Sequence, residues 1–185
     1  MGKVFVITGP SGVGKGTLIK RLLERNPDLE LSVSATTRPP RASEVDGRDY
    51  HFLTPEEFER RVERGDFLEH ATYIGHRYGT LREEVERRLE EGRSVVLEIE
   101  VQGARQVRDA MPEAVQIFIA PPDPQALRNR LETRGTDSAE AIERRLRTAA
   151  TEVEAQGEFP HVVVNDEVQK ASSELEGLVR RQLSS

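Results

Sequence analysis

A short apolar run from Val4 to Ile7 leads into Gly9-Pro10-Ser11-Gly12-Val13-Gly14-Lys15-Gly16-Thr17, after which Leu18, Ile19, Leu22 and Leu23 recur at helical spacing. Strand, glycine-rich loop and helix in that order constrain the fold more than any other stretch of the chain. Glycines let backbone N–H groups turn inward around an anion, the helix behind them adds the positive end of its dipole, and Lys15 brings a full charge to the rim. The guest such a loop suits is a polyphosphate. The spacing of Gly9, Gly14 and Lys15 follows G-x-x-x-x-G-K, but Gly16 stands where that pattern carries Ser or Thr, and the hydroxyl comes one residue later on Thr17. That hydroxyl is the usual protein ligand to magnesium, so its displacement puts direct coordination by the loop in question and leaves a water-mediated contact open.

With 185 residues the chain is long enough to bury a sizeable core. Charged residues make up 32% and the net charge is −6, which excludes a general nucleic-acid binder and means that basic residues have to be judged locally. The absence of cysteine removes disulfides, thiol nucleophiles and zinc-thiolate sites together. The N-terminal apolar run is too short for a signal peptide or a spanning helix, so a soluble cytoplasmic protein without a membrane partner is expected. His51, His70, His76 and His161 have no ligand spacing with one another, and a metal site built from them is not expected.

Strand patterns at roughly 3–8, 31–35, 94–99, 115–120 and 161–164 alternate with helical patterns, which predicts an α/β fold with a parallel sheet. The stretch 36–80 breaks the alternation and reads as an inserted unit. It opens with Thr36-Thr37-Arg38-Pro39-Pro40-Arg41, where two prolines stiffen a connector between two arginines. Arginines held this way suit bidentate capture of a phosphate, although a solvated proline-rich loop accounts for the segment equally well. Thr54-Pro55-Glu56-Glu57 is a helix start with its cap, and Gly75 marks a hairpin turn between runs that carry Glu69, Tyr73, Tyr78 and Thr80. Tyr50 and Tyr78, flanked by Arg and Gly, are candidates to give a hydroxyl to an anion, whereas Tyr73 reads as sheet core.

The apolar run from Ser94 ends in Glu98-Ile99-Glu100. In an open parallel sheet, ligands gather outside the carboxyl ends of the strands, so both acids are expected beside the phosphate loop. Farther on, Arg128, Arg130, Arg134, Arg144, Arg145 and Arg147 surround the break Gly135-Thr136-Asp137-Ser138 between two helical patterns. Such a cluster suits a flap that closes over phosphates and excludes water, while Arg128, Arg144 and Arg147 are accounted for by surface ion pairs.

Taken together, GPSGVGKGT, SATTRPPR, FLEHA, YGT, EIEVQGA, RLETRGTDS and VVVND fall in the order and spacing of the guanylate kinase family, and the chain resembles its bacterial members over essentially its full length. The resemblance implies a five-stranded parallel P-loop core with helices on both faces (1–35, 81–124 and 141–185), a small mixed GMP-binding insertion (36–80) and a helical lid (125–140). It implies transfer of the γ-phosphoryl of ATP to GMP or dGMP with magnesium. Gly9 to Thr17 would bind ATP. Ser34, Arg38, Arg41, Tyr50 and Tyr78 would hold the GMP phosphate, and Glu69 and Thr80 would read guanine. Glu98 and Glu100 would divide between guanine and magnesium water, the family's Asp-x-Asp being Glu-x-Glu here; magnesium would be held mainly through ATP and water, with Thr17 and Glu98 the candidate side-chain contacts. Lys15, Arg38, Arg130, Arg134 and Arg145 would compensate the charge of the moving phosphoryl. The competing readings are a kinase for another nucleoside monophosphate and a peptide-binding scaffold of the same fold; an intact Lys15, Arg134 and Arg145 weigh against the second.

Overall fold

The computed structural model describes residues 2–73, 75–133 and 139–185. Val4–Thr8 (β1) is buried along its whole length because it lies at the centre of a five-stranded parallel sheet. Ser94–Glu98 (β7) and Val115–Ala120 (β8) flank it, and Leu29–Leu31 (β2) and His161–Val164 (β9) form the edges. Alternation along β1 sends its side chains to two cores. Phe5 and Ile7 pack with Leu18, Ile19 and Leu22 of Lys15–Arg25 (α1) and with Leu175 and Val179 of Val168–Leu183 (α7). Val4 and Val6 pack on the other side with Val85 of Arg82–Glu90 (α3) and with Ala104 and Val107 of Val101–Ala110 (α4).

The strand expected over 31–35 does not exist as one element. The Ser32 N–H makes a last bond to the Val96 carbonyl, and the chain then leaves the parallel sheet. Ala35–Thr36 (β3) joins a second sheet, in the order His51–Phe52 (β4), β3, His76–Leu81 (β6), Phe67–Tyr73 (β5). Alternation over Leu29 to Ala35 carries no information about which neighbour each residue pairs with, so one pattern covers two sheets. Pro55–Glu63 (α2) begins as its sequence predicts, with the Thr54 hydroxyl accepting from the Glu57 N–H at 3.1 Å. It lays Phe58 on Phe67, ring centroids 4.4 Å apart, to make a small core of its own.

The second sheet is tied to the first layer through α3 and α4: His51 of β4 lies 3.3 Å from Glu84 of α3, and Leu68 of β5 packs into the core around Val4 and Val6. Gln106 of α4 accepts from the His70 N–H at 3.0 Å and donates to the His70 carbonyl at 2.9 Å, so a single side chain satisfies both backbone groups of one β5 residue. Tyr73, expected in the sheet core, is 49% exposed: it is the last residue of β5, paired with His76 at the hairpin end, where burial along the strand has already fallen away. Pro124–Thr133 (α5) and Ala139–Glu154 (α6) pack through Leu127, Leu131 and Ala149. On their surface Arg128 pairs with Glu143 at 2.6 Å, the ion pairing expected of it.

Candidate active site

The phosphate loop takes its shape from what surrounds it. Gly9 and Gly14 have φ of 144° and 97°, and a Cβ on Gly9 would meet the Ile119 carbonyl oxygen of β8 at 2.2 Å, so at both positions backbone and space admit only glycine. Lys15, at the start of α1, folds back to donate to the carbonyls of Gly9 at 2.5 Å and Pro10 at 3.3 Å. Burial lowers its pKa, while Glu98, Glu152 and Glu100 oppose the shift. Glu98 closes one side of the loop: its Oε1 lies 3.9 Å from where a Gly16 Cβ would stand. Although Glu98 keeps contact with solvent, burial raises its pKa, and the Lys15 ammonium holds it back.

Helices α5 and α6 reach the loop through two of the expected arginines. Arg130 donates to the Val13 carbonyl at 3.1 Å and to the Asn165 carbonyl at 2.6 Å, and Arg145 donates to the Ser11 hydroxyl at 2.8 Å. Arg134 lies outside the described residues. Beside the loop, Gly12, Thr17, Asn129, Arg130, Asn165 and Val168 line a cavity of roughly 400 Å³.

A second cavity, of roughly 190 Å³, opens between the carboxyl end of β7 and the second sheet. Ser34, Tyr50, Glu69, Tyr78, Glu98 and Glu100 all line it, so residues far apart in the chain converge as expected. Glu69 and Thr80 are cross-strand partners on β5 and β6, and the Thr80 hydroxyl donates to Glu69 Oε1 at 2.7 Å. The register shifts between Phe67 and Glu69, and a bulge of this kind re-aims the side chains on either side of it. Leu68 thereby packs into the main core while the Glu69 side chain is held in the cavity, with the residue 6% exposed. Burial raises the Glu69 pKa to about 7; the Thr80 hydrogen bonds pull it down and the charge of Glu100 adds to the rise.

Arg38 is already organised. It pairs with Glu44 at 2.8 Å, and its guanidinium lies 5.3 Å from the centre of the Tyr50 ring and 6.0 Å from that of Phe52. The Arg38 hydrogen bond, with a second from the Arg41 N–H at 2.7 Å, holds the Glu44 carboxyl below its usual range. The Arg41 side chain stays exposed beside it.

Two residues of this site, Glu44 and Glu152, carry no signal in the sequence patterns used above, and a third, Asn165, carries a faint one. Glu44 sits in an unremarkable polar loop. Asn165 donates to the Val13 carbonyl at 2.8 Å, and only its place in VVVND hints at it. Glu152 lies on α6 with a buried carboxylate oxygen that has no partner among the described residues, and burial raises its pKa against the pull of Lys15. In sequence it is one of many glutamates on a charged helix.

The guanylate kinase family model matches residues 1–182. The chain belongs to the guanylate kinase family. A guanylate kinase of Synechococcus sp. (strain CC9311) is 55% identical over 171 residues, covering 92% of this chain and 90% of the relative. One from Rubrobacter xylanophilus is 53% identical over 180 residues, covering 97% and 94%. The crystal structure of guanylate kinase from Anaplasma phagocytophilum superposes with a TM-score of 0.77 at 33% identity, over 98% of this chain and 86% of that one. This member joins a core of five parallel strands to a separate mixed sheet of four. Among the described residues no helix is long and apolar enough to cross a membrane.

Proposed function

We propose that this protein transfers the γ-phosphoryl group of ATP to GMP, and to dGMP, giving ADP with GDP or dGDP in the cytoplasm. One observation carries the reading: a buried carboxylate, Glu69, and an arginine–tyrosine group, Arg38 with Tyr50 and Tyr78, flank one cavity beside Glu98, Glu100 and the phosphate loop. A carboxylate accepts from both the ring N–H and the amino group of guanine, which adenine does not present together. Arginine with tyrosine hydroxyls suits the 5′-phosphate. Ser34, Arg41 and Thr80 complete the GMP site, and Gly9 to Thr17 the ATP site.

Phosphoryl transfer needs positioning and charge compensation more than a protein nucleophile, because the GMP phosphate itself attacks. Lys15 follows the transferred group, and Arg38, Arg130, Arg134 and Arg145 neutralise its charge. Glu98 approaches the loop at Gly16 and Glu100 adds its charge to that of Glu69, which favours the first for the phosphate side and the second for the base. The Thr17 hydroxyl and the Glu98 carboxylate are hard oxygen donors of the kind magnesium takes, directly or through water. Thr17 and Glu98 would hold magnesium, which when bound would supply positive charge against the donor's phosphates.

The test is ADP release, coupled to a spectrophotometric readout, with GMP, dGMP, AMP, UMP and CMP as acceptors. The two guanine nucleotides are expected to exceed the rest in kcat/KM by about 10³-fold or more. Comparable turnover of AMP or UMP overturns the assignment, and no turnover with any acceptor leaves the peptide-binding scaffold.

We further assign the division into a core (1–35, 81–124, 141–185), a GMP-binding insertion (36–80) and a lid (125–140). The insertion and lid carry arginines that must meet around one phosphoryl, so both are expected to close on the core when donor and acceptor sites are filled. Small-angle scattering with a bisubstrate analogue should record a smaller radius of gyration; superimposable curves count against closure.

A further inference from the structure

Gly103 sits in the first turn of α4 with an ordinary helical backbone, where glycine costs about 1 kcal/mol relative to alanine. No turn, cap or positive φ explains it. Space does: a Cβ built on Gly103 would stand 2.6 Å from Glu69 Oε2 and 3.2 Å from the carboxyl carbon.

Neither side of that contact can yield easily. The other oxygen, Oε1, is held by the Thr80 hydroxyl at 2.7 Å. One turn along the same face of α4, Gln106 makes its two hydrogen bonds to the backbone of His70, the residue next to Glu69, and so fixes helix and strand at one separation. Glu69 is buried, which removes the option of swinging into solvent.

We propose that Gly103 is a specificity-determining positioning residue, whose missing side chain is the space in which the second oxygen of the Glu69 carboxylate is held for the purine. Gly103 acts through Glu69 and touches neither phosphate. The inference rests on Glu69 reading guanine, so its test has one arm that needs no catalysis.

That arm is a double-mutant cycle on the nucleotide-free protein, with Gly103→Ala made in the wild type and in Glu69→Ala. In the wild type the added methyl is expected to lower Tm. With Glu69 truncated the clash is gone and helix propensity alone remains, so the same substitution is expected to raise Tm by about 2–4 °C. The same sign in both backgrounds overturns the proposal. Should Gly103→Ala fail to fold alone, recovery of folded protein in the Glu69→Ala background gives the expected coupling by another route.

The second arm is kinetic and compares GMP with inosine monophosphate, which lacks the 2-amino group. Displacing a carboxylate by about 1 Å is expected to lower kcat/KM for GMP by about 100-fold. The inosine nucleotide, with one fewer donor to lose, should fall far less, narrowing the ratio at least tenfold, while KM for ATP stays within about twofold. An unchanged ratio removes the specificity role. If the thermal cycle behaves as expected but the wild type phosphorylates no guanine nucleotide, the spacing inference stands and the kinase reading falls.

Discussion

Glu69→Gln is expected to lower kcat/KM for GMP by about 10³-fold or more, with most of the preference over AMP lost. The amide is nearly the same size, so the cavity survives. What changes is the hydrogen-bond inventory: the guanine ring N–H and amino group are both donors, and a glutamine offers them one acceptor and one opposing donor. A buried donor left facing a donor costs more than the lost bond alone. Retention of wild-type GMP preference in this variant, measured against AMP in the same assay, removes Glu69 from recognition.

The same substitution has two pH signatures. The Glu69 carboxyl titrates at about 7 before ligand binds, and only its charged form accepts both guanine donors. KM for GMP should therefore rise as pH falls below about 7, and the rise should vanish in Glu69→Gln. The nucleotide phosphate also titrates near pH 6, but it does so identically in both proteins, so their difference isolates the carboxyl. Stability runs the other way. The folded, nucleotide-free protein binds this proton more tightly than the unfolded chain, whose carboxyl sits near 4.5, so the protonated group's contribution is complete below that value. It declines as pH rises to about 7, by roughly 3 kcal/mol for a shift of this size. At pH 8 the glutamine variant should melt higher than the wild type, and at pH 4 the two should converge. A readily ionised Glu69, with no difference in melting between the two proteins at pH 8, contradicts the burial argument.

Lys15→Ala is expected to reduce kcat by about 10³-fold or more, about 4 kcal/mol of transition-state stabilisation, with KM for GMP within a few-fold. The ammonium is proposed to follow the transferred group, and it sits among three carboxylates, Glu98, Glu100 and Glu152. Removing it both withdraws positive charge from the phosphoryl and leaves those carboxylates facing the incoming phosphates. Arginine should not restore the rate, because a planar guanidinium is too large to fold back onto the Gly9 and Pro10 carbonyls as the ammonium does. Single-turnover measurement of GDP formation with excess enzyme reads the chemical step directly, and a variant retaining a tenth of the wild-type rate would rule out this role for Lys15.

Local rules made part of this legible. The phosphate loop, its strand and its helix follow from glycines and apolar spacing within 20 or so neighbouring residues, and the Thr54 cap follows from four. The path of Leu29 to Thr36 does not, since the switch from one sheet to the other is decided by Val96 and by β6, some 40 to 60 residues away. Tyr73 was misjudged because hydrophobic content says that a strand has a buried face and says nothing of where along it burial stops. The bulge before Glu69 has no sequence signature at all, although it aims the side chain to which guanine recognition is assigned in the proposal. Glu44 and Glu152 belong to the same class: each is one acid among many until the fold brings it to Arg38 or to Lys15.

Both backbone groups of His70 are held by Gln106, whereas Arg38 and Arg41 hang on a proline-stiffened connector between β3 and β4, at the opposite edge of the same small sheet. The sheet itself is held at both edges, because His51 of β4 lies 3.3 Å from Glu84 of α3. Freedom is left to the connector between the two strands rather than to the strands. On the proposed reading the base end of the site is built before any ligand arrives, and the arginine-bearing connector is the part with an arc to travel.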